Sequence, residues 1–339
     1  MDTKNKKHLS CLSAALLLAC ALLALTACAP HRSVTLVEAT LVPGANTLLP
    51  EAVDDSALRQ SAAATLWFRY REEPLLAPET RTVTRLPSQS YETALITELL
   101  SGPAARSSEL TGLFPAGTRV LSTVTQGRTL FVTLSAEALN PLPDEPVDWQ
   151  EDDAWRVEAP LGRRLTMQSL VATLTENCEI DTVQVLISGG DNTLGSLRLR
   201  QNYFLDDSED SVLTQPMARD ESLLLTGPVT LRTVFACWQR RDWARLYLYL
   251  ASGDAATGLG RPVYQDFVTT MEALPQVIAF TLSDGFVRQG GDSATFTADV
   301  QLRDAAGETR RNGAVLRLKR ESGLWKITQS QLTGWLEVE

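Results

Sequence analysis

The strongest constraint on the fold is an alternation of apolar and polar residues near the C-terminus. Apolar residues occupy every second position of 294–302, namely Ala294, Phe296, Ala298, Val300 and Leu302. A period of two is typical of a strand with one buried and one solvated face. Glycines separate this segment from its neighbours, so we predict four long antiparallel strands, at about 276–288, 293–303, 310–319 and 324–332.

Helical patterns precede these strands. An apolar stripe runs from Leu231 to Trp238, Asp242 is a candidate N-cap for a second helix, and Pro262 opens a third. Helices followed by a one-sided sheet predict an α+β domain over residues 226–339. Four aromatic residues there either pack as core, the interpretation we favour, or line a pocket for a small ligand: Trp243, Tyr247, Tyr264 and Trp325.

The first half of the chain has a different order of elements. Thr65–Tyr70 predicts a strand rich in aromatic and β-preferring residues, and 81–86 a weaker one. An α-β-β-α-β string follows, in which amphipathic helices should cover one face of a small sheet and leave the other face or an edge free for neighbours. Its predicted elements are 88–101, 119–125, 129–134, 163–177 and 182–187.

Two acidic segments interrupt these patterns. Residues 140–160 carry seven acidic side chains, four prolines, Trp149 and Trp155. We interpret them as a solvated loop rather than a calcium site, because no EF-hand spacing is present. Residues 206–225, which begin acidic and aperiodic, are predicted to be a linker between domains.

Parts of the first half resemble the GerM domain of sporulation and germination lipoproteins. The resemblance rests on a helix that ends in leucines and Gly-Pro (Tyr91–Pro103), a Pro-x-Gly-Thr turn (Phe114–Ser122) and a strand that ends in Leu-Ser (Leu130–Ser135). Residues 165–175 with 183–187 resemble the family's second helix and last strand. The resemblance implies a ring-building-motif-like domain at 61–205 that docks into an envelope protein complex, with possible homo-oligomers and no catalytic signature.

Residues 226–339 resemble the cone-shaped nuclear-transport-factor-2-like domains. The carriers are helices followed by a curved antiparallel sheet, with Gly323–Ile327 opening its last strand. Some members of that superfamily are enzymes with polar pockets, and many only bind or dimerise. The resemblance therefore implies a cone domain and leaves its ligand open.

The N-terminus resembles a bacterial lipoprotein signal peptide. Three lysines precede an apolar stretch from Leu9 to Leu25, and the small residues Thr26 and Ala27 precede Cys28. The resemblance implies cleavage between Ala27 and Cys28, a signal peptide at 1–27 and a tether at 28–60. A diacylglyceryl group on Cys28 would then hold the protein on the extracytoplasmic face of the cell membrane. An uncleaved transmembrane helix is the alternative.

Composition narrows the functional classes. Removing residues 1–27 takes away three lysines and one aspartate, which leaves 28 basic and 40 acidic side chains and a formal charge of −12. Such a chain is not expected to bind nucleic acid. His31 is then the only histidine, so a histidine triad or histidine-rich metal site is not expected. Cys178 and Cys237 are either free thiols, which we favour, or an interdomain disulfide.

These observations predict a non-enzymatic protein without cofactor or metal. We expect a lipid-anchored extracytoplasmic scaffold or assembly factor in sporulation or spore germination. The alternatives are a lipoprotein that binds a small ligand or cell-wall fragment through its C-terminal cone, and a regulator of a sensor kinase.

Overall fold

Two small sheets and two helices make up the first half of the described chain. The computed structural model describes residues 60–189, 195–206, 211–254 and 257–336. The predicted signal peptide, Cys28 and the tether as far as residue 59 lie outside the described residues. No helix in the described part of the chain has the length and apolarity needed to cross a bilayer.

The first sheet is built around a strand that is buried on both faces. β1 (Gln60–Tyr70) pairs antiparallel with β2 (Leu76–Arg85), and its last residues pair with β3 (Leu110–Thr111). Leu66 and Phe68 belong to one apolar core, whereas Trp67 belongs to another. Burial of both faces explains why this strand is so rich in aromatic and aliphatic residues.

Polar side chains of a long helix close the free edge of β1. Within α2 (Asp153–Asn177), the Asn177 amide accepts from the Thr65 N–H at 3.0 Å and donates to its carbonyl at 2.7 Å. The Thr173 hydroxyl accepts from the Trp67 N–H at 3.0 Å, and the Ser169 hydroxyl donates to the Trp67 carbonyl at 2.6 Å. Spacing of four residues places all three side chains on one helix face. The helix thus satisfies backbone groups that an edge strand would otherwise expose.

The second sheet has the predicted α-β-β-α-β order, with α1 at Tyr91–Leu100. β5 and β6 run parallel because α2 is the crossover between them, and the other pairs are antiparallel. Leucines of α1, α2 and β5 share one core, so both helices cover the same sheet face. Its strands are β4 (Val120–Gln126), β5 (Thr129–Leu134), β6 (Thr182–Ser188), β7 (Ser196–Arg198) and β8 (Met217–Ala218).

The acidic insertion is not a wholly solvated loop, so that prediction was wrong. Asp152 caps α2, which begins ten residues before the predicted start at Arg163. Acidic side chains at a helix N-terminus are favoured by the helix dipole, which explains their density here. Farther back, the Glu145 carboxylate forms a bidentate, buried ion pair with Arg163 at 2.8 and 2.9 Å. Trp149 and Trp155 are half-buried.

The predicted linker 206–225 is packed along much of its described length. β8 lies in it, and Asp220 accepts from Arg164 at 2.6 Å. Leu224 is fully buried, and the Leu225 N–H donates to the Leu76 carbonyl at 2.7 Å. The described residues form one compact unit. Independent folding of 61–205 and 226–339 stays a prediction.

The C-terminal region is a curled antiparallel sheet backed by helices. Its order is β11-β13-β14-β15, with β12 also paired to β13, and bulges follow Val277 and Ala298. This architecture confirms the predicted α+β class with a cone-like second part. The strands of this sheet are β11 (Gln276–Leu282), β12 (Phe286–Val287), β13 (Ser293–Asp304), β14 (Gly307–Glu321) and β15 (Leu324–Ile327). Before them in the chain, β9 (Gly253–Asp254) and β10 (Leu259–Gly260) pair as a separate two-stranded sheet.

Four helices share a buried core with this sheet: α3 (Gly227–Arg240), α4 (Trp243–Tyr247), α5 (Tyr264–Glu272) and α6 (Gln329–Thr333). The five alternating apolar residues of 294–302 are all buried, as predicted. The predicted strand 324–332 is wrong in its second half. Thr328 ends the strand because its side chain accepts from the Gln331 N–H and caps α6.

Candidate interaction surface and domain junction

β4 has an unpaired backbone edge. It pairs with β5 on one side, and within the described ranges no strand pairs with its other side. The Thr123 hydroxyl bonds to Ser90 and Thr93 at the start of α1, at 3.0 and 3.1 Å, which fixes the inner face of the strand. Gly127, at φ +61°, forms the turn into β5. Past a register shift at Leu121, the edge is regularly extended from Ser122 to Gln126, and another strand can pair with it.

Exposed apolar side chains accompany this edge. Leu121 is 50% exposed and Val124 is 61% exposed. Val124 lies opposite the half-buried Phe131 of β5, on the sheet face away from the helices. We call Leu121, Val124 and Phe131 with the free edge of β4 the β4 surface. Its chemistry suits a protein partner that adds a strand and covers apolar side chains.

The same face is covered farther along the sheet. Gln184 of β6 is fully buried, and its amide donates to the buried Thr214 hydroxyl at 3.3 Å. Thr214 in turn donates to the Leu199 carbonyl at 3.0 Å. The described residues around Thr214 thus lie over β6, whereas Leu121 and Val124 of the β4 surface are not covered by any part of the chain that the structure describes.

A buried polar cluster joins the first sheet to α4. Glu73, in the turn between β1 and β2, accepts from Arg245 at 2.8 and 2.9 Å and from the Tyr249 hydroxyl at 3.0 Å. Glu73 is 7% exposed, and Tyr249 is fully buried. Burial raises the pKa of Tyr249, and the adjacent Glu73 carboxylate raises it further. Tyr249 therefore stays protonated and donates to the carboxylate.

A second cluster joins β1 to the last strand. The Lys326 ammonium donates to the Tyr70 hydroxyl and to the Leu248 carbonyl, both at 2.7 Å, and lies 3.4 Å from Glu109. Burial lowers the pKa of Lys326, against the opposing influence of Glu109. Burial alone would raise the pKa of Glu109, but Lys326 and Arg71 hold it below its ordinary value. These groups hold the β1–β2 hairpin against the C-terminal region.

The four predicted pocket residues belong to or border one aromatic core. Trp243 and Trp325 are buried, whereas Tyr264 is 41% exposed. Tyr247 meets Tyr264 edge-on at 5.2 Å and donates to the Pro262 carbonyl at 2.7 Å. This arrangement agrees with the packed-core interpretation, and a ligand pocket at these residues stays a prediction.

Both described cysteines are free thiols, and no disulfide joins them. Burial raises the pKa of Cys178 to about 12 and that of Cys237 to about 11. Neither thiol is then a nucleophile near neutral pH. Among the described residues, no group of three or more His, Cys, Asp or Glu side chains is placed to hold a metal ion.

Sequence reasoning missed the two junction clusters and the polar line on α2. Glu73 and Arg245 are 172 positions apart, so no local pattern links them. A local signal did exist for α2, because Ser169, Thr173 and Asn177 recur every fourth residue beside its apolar stripe.

Taken together, the described residues form an α+β domain with helices on one face of a mixed sheet, joined to a helix-backed, curled antiparallel sheet. Residues 65–193 match the family model described as Germane: Sporulation and spore germination. This stretch is a GerM domain, as the sequence resemblance predicted. It indicates a role related to sporulation or germination.

Parts of this chain are similar to solved structures at low identity and with low TM-scores. Tandem GerMN domains of the sporulation protein GerM from Bacillus subtilis are 16% identical, with a TM-score of 0.30 over 47% of this chain and 45% of that one. A putative lipoprotein from Clostridium perfringens is 16% identical, with a TM-score of 0.26 over 51% and 95%. A Δ5-3-ketosteroid isomerase from Mycobacterium sp. is 14% identical, with a TM-score of 0.24 over 29% and 86%. No curated protein matches the chain significantly.

Proposed function

We propose that this protein is a lipid-anchored, non-enzymatic scaffold of the cell envelope that acts in sporulation or spore germination. In this proposal Cys28 carries the lipid, and the GerM domain docks onto another envelope protein through the β4 surface. The observation that carries the proposal is the unpaired edge of β4 with its exposed apolar side chains. Such an edge is an efficient template for strand addition.

The junction clusters supply the rigidity that a scaffold requires. Glu73 and Tyr70 of the GerM half are each held by buried partners in the C-terminal region. A partner bound at the β4 surface would therefore have a fixed position relative to the curled sheet. Confinement to a membrane surface raises the effective concentration of both partners, which favours docking even where each contact is weak.

Photocrosslinking in intact cells tests this proposal. A photoreactive amino acid at Val124 should give a discrete adduct with a second envelope protein in sporulating cells. The matched control is Val157, which is more exposed than Val124 but lies on the first turns of α2. Because Val157 is outside the β4 surface, it should give no such adduct.

A second variant connects the adduct to function. Val124→Arg places a charge on the β4 surface and should both remove the partner and lower sporulation or germination efficiency, whereas Val157→Arg should do neither. An adduct that contains only copies of this chain would show that the β4 surface mediates self-assembly rather than docking onto a different protein. Equal labelling from Val124 and Val157 would show that the β4 surface has no specific partner.

A further inference from the structure

β14 extends well beyond the strand that pairs with it. β15 pairs only with residues 318–321, whereas β14 begins at Gly307. On the side opposite β13, residues 307–317 have no strand partner within the described part of the chain, and a register shift at Gly313, whose φ is +67°, divides this edge into 307–311 and 314–317. This second free edge is separate from the β4 surface and lies in the C-terminal region.

A groove of about 760 Å³ follows this edge. One wall is residues 310–317 of β14, and the other is Ser330, Gln331, Gly334 and Trp335, in and just after α6. Trp335 is buried, and its indole donates to the Leu332 carbonyl at 2.7 Å, so this second wall is fixed. Val315, which is 50% exposed, contributes an apolar side chain to the groove.

The groove is basic in an acidic protein. Among the described residues that line it, Arg310, Arg311 and Arg317 are basic and none is acidic, whereas the whole chain has a formal charge of −10. Arg310 donates to Asn312 at 2.8 Å and lies 3.5 Å from Asp299, which partly neutralises it. Arg311 is half-buried and donates to the Leu336 carbonyl at 3.4 Å.

Arg317 is different from the other two arginines. It is exposed, and its guanidinium has no hydrogen-bond or ion-pair partner among the residues that the structure describes. It follows Val315 by two residues on β14, so both side chains lie on the same face of the strand. A free guanidinium beside an unpaired strand edge offers a carboxylate a charge-assisted, bidentate contact.

We propose that this groove binds an acidic peptide segment of another protein, which adds to β14 as an extended strand. Backbone pairing with residues 314–317, and with 307–311 beyond the register shift, would supply affinity, and carboxylates opposite Arg317 and Arg311 would select the sequence. Free backbone groups favour a peptide over other polyanions, because only a peptide satisfies the donors and acceptors of a strand edge.

Fluorescence anisotropy with the purified full chain tests this inference. The probe is a labelled peptide in which glutamate alternates with valine. Arg317→Glu should weaken its binding by about tenfold or more, since one charge-assisted contact is typically worth a decade in affinity. Arg232→Glu is the matched control, because Arg232 is an exposed arginine on α3 outside the groove. Added salt should weaken binding of the wild type.

Two further probes separate strand addition from simple ion attraction. A peptide with lysine in place of glutamate should not bind, and a peptide N-methylated at alternate positions should lose most of its affinity because it lacks backbone donors. Arg317→Gln, with a circular dichroism spectrum compared to wild type, replaces Arg317→Glu if the latter fails to fold.

Several results would overturn the inference. If both Arg317 variants bind the peptide with wild-type affinity, the groove is not the binding site. Full affinity of the N-methylated peptide, or equally tight binding of inorganic polyphosphate, would make the groove a general anion site. Self-association in light scattering that Arg317→Glu abolishes would identify a second copy of this chain as the occupant.

Discussion

The carboxylate of Glu73 and the guanidinium of Arg245 form hydrogen bonds of 2.8 and 2.9 Å across the junction between the hairpin and α4. Both groups have lost most of their water, and Tyr249 completes the coordination of the carboxylate. Removing one partner of such a buried ion pair destabilises a protein by more than the intact pair stabilises it relative to apolar residues of similar size. The contact therefore fixes where the two halves meet.

Removing one partner of this pair should destabilise the protein. Glu73→Ala leaves Arg245 and Tyr249 without their acceptor, and we expect a loss of about 2–3 kcal/mol, below the value for fully buried pairs because Arg245 retains some exposure. Urea denaturation measures it. Glu72→Ala, which removes the adjacent exposed carboxylate, should change stability by less than about 0.5 kcal/mol. Equal effects of the two substitutions would show that the junction pair is not specific.

The polar line on α2 gives a second prediction. Asn177→Ala leaves the Thr65 N–H and carbonyl without partners, so the free energy of unfolding should fall by about 1–3 kcal/mol. Thr175→Ala is the control, because within the described residues the Thr175 hydroxyl bonds only to carbonyls of its own helix. Hydrogen exchange should also speed up at the Thr65 amide in Asn177→Ala alone. Unchanged protection there would mean that β1 does not depend on the helix for its edge.

The Glu145–Arg163 pair predicts a pH dependence of stability. Burial alone would raise the pKa of Glu145, but hydrogen bonds from Arg163 and the Leu142 N–H hold it below the ordinary value of 4.5. As pH falls, the unfolded chain binds the proton first, so this contribution is present above about pH 4.5 and is lost as pH falls through the lower, folded-state pKa.

Glu145→Gln should therefore be less stable than wild type at pH 7, and the difference should narrow below about pH 4.5. Urea denaturation from pH 7 to pH 3 measures both effects. Glu151→Gln, an exposed acid of the same insertion, should follow the wild-type profile. A constant difference between Glu145→Gln and wild type at all pH values would contradict the assignment.

Lipid anchoring is a prediction from the sequence alone. Cys28→Ala should abolish incorporation of labelled palmitate and either release the protein from membranes or leave an uncleaved precursor. Cys20→Ala, within the apolar stretch, should be processed and anchored like wild type. Membrane fractionation after labelling distinguishes the two variants. If Cys28→Ala is cleaved after Ala27 and still fractionates with membranes, the anchor lies elsewhere.

The shared packing at the junction leads us to expect that 61–205 and 226–339, whose independent folding is a prediction from the sequence, stay associated once the chain is cut between them. Tyr70, Leu75 and Ala77 belong to the same apolar core as Phe235 and Trp238. Limited proteolysis within the acidic part of 206–225 should therefore yield two fragments that stay together on gel filtration and separate only in denaturant. Two fragments that separate without denaturant and remain folded would instead establish independent domains.

Local patterns predicted most elements of the fold. The bounds of β5 agree with the predicted 129–134, since its alternating leucines and valine have only one consistent register. The predicted strand 324–332 is too long, and the sequence itself contains the signal that ends the strand. Thr328 and Gln331 have the Ser/Thr-x-x-Glu/Gln spacing of a capping box, which predicts that a helix starts there.

The junction clusters and the free strand edges could not be predicted from the sequence. An acidic residue such as Glu73 resembles any solvated turn residue until the chain brings Arg245 and Tyr249 to it. The exposure of Val124 cannot be predicted from the sequence either, because a covered strand and an uncovered strand have the same alternation of apolar and polar residues. Which face stays open depends on where the segment that carries Thr214 returns over the sheet.

The contact between Lys326 and Tyr70 spans 256 positions of the chain. A bond of such long range forms late, because most of the chain must be ordered before its two ends meet. Until the final strand has been synthesised, Tyr70 lacks this partner and the junction is incomplete. We therefore expect a chain that ends before Lys326 to be cleaved by proteases faster than the finished chain.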